Sequence, residues 1–281
     1  MSVQPAFALI FSPILTIFLF TCLYCPWGSI LVQTTGGRRV NGIFSYLFSY
    51  SGMASLGLIL AAGCAAYLAV RERLSYPELL CILSGSLIPL YAGAKLFGIL
   101  SLGLYRLSIG RPLDWSLVSN SGIVFYGGML GYLLSTRVLI SRYILYKRSS
   151  SWGLVALVIP LFHGFARLGC YFGHCCYGIP MDGAFWGHFF EHRLPVQLME
   201  AGFNLGLFGV LLWLYLRRRP MRGRLVRVYL LSYALFRFGI EFFRGDAVRG
   251  SLGPLSFSQW VSVLILLGLG LHYILRRRKN P

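Results

Sequence analysis

Acidic side chains are scarce in this chain: Asp and Glu total 8 against 26 Lys and Arg, and charged residues of all kinds make up only 12% of 281 positions. Soluble domains carry about 25% charged residues, so a soluble enzyme or a free nucleic-acid binder is excluded. A long polar segment is also missing, and without one the chain holds no separate soluble domain. The cysteines number 7, an odd count that rules out complete intrachain pairing and gives no disulfide framework. No basic residue precedes the first apolar run, residues 6–24, and Pro13 breaks it, which makes a poor secretory signal. Internal repeats, common in secondary transporters, are absent.

What remains is apolar: 57% of the residues are hydrophobic and the mean hydropathy is +0.68. These totals predict an all-α polytopic integral membrane protein in a single domain, 1–281. Seven apolar runs are expected to span the bilayer, at 46–70, 79–105, 122–140, 152–173, 195–216, 228–243 and 257–275. Residues 6–24 are read as an eighth span or an interfacial helix. Cys64 and Cys81 sit in apolar runs and read as small buried thiols.

The positive charge falls mainly between the runs. One set of alternate connections holds fifteen Lys and Arg: Arg71, Arg73, Arg142, Lys147, Arg148, the six arginines of 217–227 and the four basic residues of 276–279. The other holds six: Arg38, Arg39, Arg106, Arg111, Arg193 and Arg249. The positive-inside bias then puts the C-terminus in the cytoplasm and the loops 106–121, 174–195 and 244–256 outside. The basic excess is a topology signal and an attraction for anionic headgroups. It is not a nucleic-acid footprint.

The organising stretch is 162–178, FHGFARLGCYFGHCCYG. His163, Arg167 and Cys170 are spaced four and three apart, so a helix stacks them on one face. An arginine at bilayer depth costs about 2.5 to 3.5 kcal/mol on insertion scales, which argues for a polar cavity. Two further stripes have helical spacing: Gln197, Glu200 and Asn204, three and four apart, and Arg237, Glu241 and Arg244, four and three apart. The topology sets all three at similar depth in the outer half of the membrane. Two arginines sharing a cavity repel unless an anion lies between them, and a lipid phosphate is the anion at hand. The bland alternative is internal bracing, with Glu200 against Arg167 and Glu241 against Arg237. Tyr126 before Gly127 and Gly128 reads either as an interfacial aromatic on a close-packed helix or as a cavity donor. Lys95 is either a second cavity charge or a carboxylate's partner. Cys170, Cys175, Cys176, His163 and His174 match no common pair-plus-pair zinc spacing, so no metal is expected.

At these residues the chain resembles the bacterial prolipoprotein diacylglyceryl transferases, from about residue 46 to the end. The resemblance rests on Arg167, Gly169 and Gly178, on Pro195, Gln197, Leu198 and Glu200, on the run 233–244 with Arg237, Glu241 and Arg244, and on Gln259. It implies transfer of the diacylglyceryl group of phosphatidylglycerol to the cysteine thiol of a prolipoprotein signal peptide, in the bacterial inner membrane and without a cofactor. Arg167 and Arg237 are then expected to hold the phosphate, and Tyr126, His163 or Glu241 to take the thiol proton. Gly127, Gly128, Cys170, Cys175, Gly178, Gln197, Glu200 and Arg244 are expected to line the substrate site. The chain departs from the family where Tyr126 stands for a usual histidine, Cys170 and Gly173 for asparagines and Cys175 for a glutamate. Those cysteines leave a different acceptor as the alternative, and a non-enzymatic lipid transporter is the reading from another class.

Overall fold

The computed structural model describes residues 47–74, 84–143, 148–181, 183, 192–245 and 250–279. Segments 6–24 and 27–45, with Cys22, Cys25, Arg38 and Arg39, lie outside the described residues, as do Cys81, Lys147 and Arg249. The helices are α1 Tyr50–Arg71, α2 Leu87–Ser108, a short α3 Ser116–Asn120, α4 Phe125–Tyr143, α5 Arg148–Phe172, α6 Val196–Arg217, α7 Leu225–Ile240 and α8 Phe257–Lys279. Tight 3-10 turns at Arg219–Arg224 and Glu241–Phe243 bracket α7. A small antiparallel ribbon, β1 Ser251–Leu252 with β2 Leu255–Ser256, leads into α8.

Among the described residues five helices are long and apolar enough to cross a membrane: α1, α2, α5 from Ser150, α6 and α8 to Arg278. The other two expected spans fall on helices that do not meet that measure. Arg137, Arg142 and several hydroxyl residues dilute α4. The 16 residues of α7 reach about 24 Å at 1.5 Å each, short of a hydrocarbon core of about 30 Å.

The bundle encloses its ionised residues and presents an apolar outer surface. Ile59, Leu96, Leu134, Val210, Leu264 and Leu267 are exposed, whereas Arg167, Glu200, Asn204, Arg237 and Glu241 are buried. A surface of that kind suits acyl chains, and the buried polar groups then have to satisfy one another. Leu154, Leu157, Leu211, Tyr215, Tyr229 and Tyr233 belong to the apolar core. α1 and α6 both pack on α5, α2 packs on α4, and α7 on α8.

Two contacts fix the frame. Where α2 meets α4, Gly93 and Gly127 face each other so closely that a Cβ on either would strike the other's backbone carbonyl. At the end of the bundle remote from the polar stripes, Arg222 reaches back to Glu72 with two bonds of 2.5 and 2.9 Å. Its Nε donates to the carbonyl of Tyr215 at 3.0 Å, and its guanidinium lies over the Tyr215 ring at 4.3 Å. Arg222, one of six arginines counted as a topology signal, is thus a buried tie between α1, α5 and α6. Lys95, left open by the sequence, donates to the Ser121 carbonyl at 2.6 Å and steadies the approach to α4.

Gly93→Ala is expected to lower stability by about 1 to 3 kcal/mol through overpacking. Gly206→Ala, where the new Cβ meets nothing within 4 Å, should leave it unchanged or slightly higher. Thermal unfolding in detergent compares the two. Glu72→Ala strands a buried guanidinium and should cost about 3 kcal/mol, with part recovered when Arg222→Met is added; the same unfolding assay reads the difference.

Candidate functional site

The site forms where the C-terminal ends of α5 and α7 meet the N-terminal end of α6. The helical period puts His163, Arg167 and Cys170 on one face of α5, and the buried face of α6 carries Gln197, Glu200, Ala201 and Asn204. α7 supplies Arg237, and the 3-10 turn at its end tightens the chain so that Glu241 stays beside it.

Glu200 is the centre. Its side chain is 0% exposed, and three arginines reach it. Arg167 pairs through Nε with Oε2, Arg237 Nη1 lies 2.5 Å from Oε1, and Arg244 Nη1 lies 2.8 Å from the same oxygen. Arg237 also meets Glu241 at 2.9 Å through Nη2. The ion pairs considered for bracing are therefore present, inside one cluster of three guanidiniums and two carboxylates. Asn204 Nδ2 donates to the Glu200 carbonyl at 2.7 Å and so binds the stripe to its own helix.

His163 is buried among aromatic rings rather than exposed. Its ring stacks on Phe125 with centroids 3.6 Å apart and meets Tyr233 edge-on at 5.4 Å. The Nε2 atom accepts from Arg167 Nε at 3.2 Å. Tyr126 is buried edge-on to Tyr233, with its hydroxyl 2.7 Å from that of Ser262 on α8. Gly127 lies in the close contact with Gly93, and Gly128 lies over Ala94 and Leu90. The glycines of this tripeptide are closely packed, while Tyr126 is buried rather than interfacial.

The chain leaves α5 through a turn in which His174 and Cys176 take φ of 49° and 61°, a left-handed region costly for a side-chain-bearing residue. Cys175 N–H returns to the Cys170 carbonyl at 3.1 Å, and Gln197 Nε2 holds the Cys175 carbonyl at 2.8 Å. Gly178 N–H donates to Leu194 at 3.1 Å, while Gly245 N–H donates to Tyr177 at 3.0 Å. A Cβ on Gly178 would collide with Leu194, so only glycine admits these strands so near each other. This lattice ties the cysteine turn to the segment bearing Arg244.

The turn brings the sulfurs of Cys170, Cys175 and Cys176 within 4.8 Å of one another. None of the three is in a disulfide. Hydrogen bonds from Cys170 and then Cys175 hold the Cys176 thiol well below its usual range, with Arg167 and Arg244 adding to the effect. The same sharing, with Cys170 first, pushes the Cys175 thiol up.

The structure thus gathers His163, Arg167, Gln197, Glu200, Arg237, Glu241 and Arg244, with Cys170 and Cys175 on the adjoining turn. Tyr126 borders the cluster but directs its hydroxyl to α8. Gly127, Gly128 and Gly178 serve backbone packing. Sequence reasoning did not single out Phe125, Ser258 or Ser262. The last two are spaced four apart at the start of α8, a helical stripe that was legible. Ser258 Oγ lies 3.4 Å from Arg237 Nη2.

The profile of the prolipoprotein diacylglyceryl transferase family matches residues 43–275. Phosphatidylglycerol–prolipoprotein diacylglyceryl transferase 2 of Clostridium perfringens is 30% identical over 262 residues, covering 83% of this chain and 93% of that protein. The transferase of Campylobacter hominis is 30% identical over 253 residues, covering 82% and 87%. That of Clostridium tetani is 33% identical over 176 residues, covering 57% and 67%. With its apolar helices and this match along most of its length, the chain is a multi-pass membrane protein belonging to the prolipoprotein diacylglyceryl transferase family.

Proposed function

We propose that this protein transfers the diacylglyceryl group of phosphatidylglycerol to the cysteine thiol of a prolipoprotein signal peptide, making a thioether and releasing glycerol phosphate. The observation that carries the reading is the buried convergence of Arg167, Arg237 and Arg244 on Glu200. Each guanidinium has five N–H donors, more than two carboxylates absorb, and one positive charge stays uncompensated. Such a cluster is preorganised for a phosphate.

The acceptor thiolate attacks the glyceryl carbon, and the carbon–oxygen bond to phosphate breaks. The phosphate changes from a diester with one negative charge to a monoester that gains a second. Arginines already fixed by Glu200 and Glu241 bind that developing charge more strongly than the starting lipid, which lowers the barrier. Arg167 and Arg237 carry this role, with Arg244 beside them. Glu200 keeps the three cations from repelling one another. Gln197 holds the cysteine turn against α6.

The seven-span arrangement belongs to the same proposal, with α4 and α7 completing the wall and the C-terminus in the cytoplasm of a bacterial inner-membrane protein. The fifteen-to-six bias of basic residues supports that orientation. It sets the arginine cluster toward the outer face, where the cysteine of an exported precursor arrives.

Full-length protein reconstituted with phosphatidylglycerol and a lipobox peptide should yield a peptide heavier by one diacylglyceryl group, seen by mass spectrometry. Absence of that product would refute the reading. Replacing phosphatidylglycerol with phosphatidylethanolamine should abolish it. Arg237→Gln should lower kcat by about 100- to 1000-fold, the usual cost of one preorganised transition-state donor; a variant that retains its fold and full kcat would remove Arg237 from the mechanism.

A further inference from the structure

The proposed reaction needs a thiolate, and the groups expected to take the thiol proton are already engaged. Tyr126 shares a hydrogen bond with Ser262, His163 Nε2 accepts from Arg167, and Glu241 is paired with Arg237. Beside them sits a group of atoms that the arginine cluster does not use. The sulfurs of Cys170, Cys175 and Cys176 lie within 4.8 Å of one another, on a turn held in strained backbone at His174 and Cys176.

We propose that these three cysteines bind one Zn2+ ion, and that its fourth position takes the acceptor thiol and presents it as a thiolate. This rests on the transferase reading above.

The geometry suits the ion. Zinc–sulfur bonds of about 2.3 Å put sulfurs about 4 Å apart in a trigonal or tetrahedral site, a contraction of less than about 1 Å from the observed spacing. Three protein ligands with an open fourth position is the arrangement of catalytic rather than structural zinc. Thiolate donors select a soft or borderline ion over Mg2+ or Ca2+. Three thiolates carry one negative charge more than Zn2+ neutralises, and the adjoining cluster holds three arginines against two carboxylates. Cys170 is buried while Cys175 and Cys176 are half-buried, so one side of the trio remains open to a substrate.

The step balances. The incoming thiol coordinates zinc and releases its proton to water, since a coordinated thiol is deprotonated outright. The zinc-bound sulfur forms the new carbon–sulfur bond, the carbon–oxygen bond breaks, and its electron pair leaves with glycerol phosphate. No oxidation state changes. The product thioether is a weaker ligand than a thiolate, and the fourth position opens again.

The test uses the full-length protein in lipid nanodiscs. Elemental mass spectrometry should find one zinc per chain, and zinc-edge X-ray absorption should show three sulfurs at about 2.3 Å. Adding a lipobox peptide should raise the count to four sulfurs, and the same peptide with serine for cysteine should not. Cys175→Ser should lose the zinc, and stripping the ion from the unaltered protein should slow thioether formation about 10-fold or more. A metal-free protein with full transfer activity, a copper ion in place of zinc, or a disulfide within the trio would overturn the zinc site and leave the transferase reading standing. Zinc that recruits the peptide sulfur while no thioether forms would refute the transferase reading and keep the site.

Discussion

One carboxylate organises this molecule. Glu200 is fully enclosed, and arginines from α5, from α7 and from the segment after α7 converge on it. Removing a charge from water is expensive, and pairing offsets that cost only when the geometry leaves few donors idle. Here the cost is borne at the point where three elements must meet, so the same contacts that close the bundle also aim its guanidiniums. Support and binding surface are therefore one set of atoms, and a lipid phosphate entering this cluster would share donors with a structural ion pair.

The surroundings hold that arrangement in place. Asn204 binds to the Glu200 carbonyl, Gln197 to the cysteine turn, and the Gly178 to Arg244 backbone bridge links two connections far apart in sequence. Phe125 stacks on His163, and Tyr233 meets both rings edge-on beside Arg167's helix. At the other end Glu72, Arg222 and Tyr215 make a second buried polar tie. The bundle is fastened by ion pairs at both ends and by apolar packing between them, consistent with an exterior so apolar that burial of hydrocarbon from water cannot supply the helix-to-helix attraction.

Much of this was legible in the sequence, because helical spacing is a strong signal when the residues are charged and the background is apolar. Arg167, Glu200, Arg237 and Glu241 stand out for that reason, and the structure brings them together. The cysteine trio was grouped in the sequence with His163 and His174, but its spacing did not show that the three sulfurs meet. Its members are five and one residues apart, no regular element has that period, and their approach depends on two left-handed φ angles at residues other than glycine. Arg222 was hidden differently, among neighbours of identical charge whose number reports topology, so nothing marked one of them as buried. The span count differs from seven by length and composition alone, since α7 ends early in a 3-10 turn and α4 is diluted by polar side chains.

The meeting of α2 and α4 at Gly93 and Gly127 is set by main chain on both sides. Neither position has a side chain left to shorten, so this seam already stands at its narrowest. Sequence drift there can act in only one direction, by wedging the two helices apart, and any relative of this protein with a roomier wall would show larger residues at these two places.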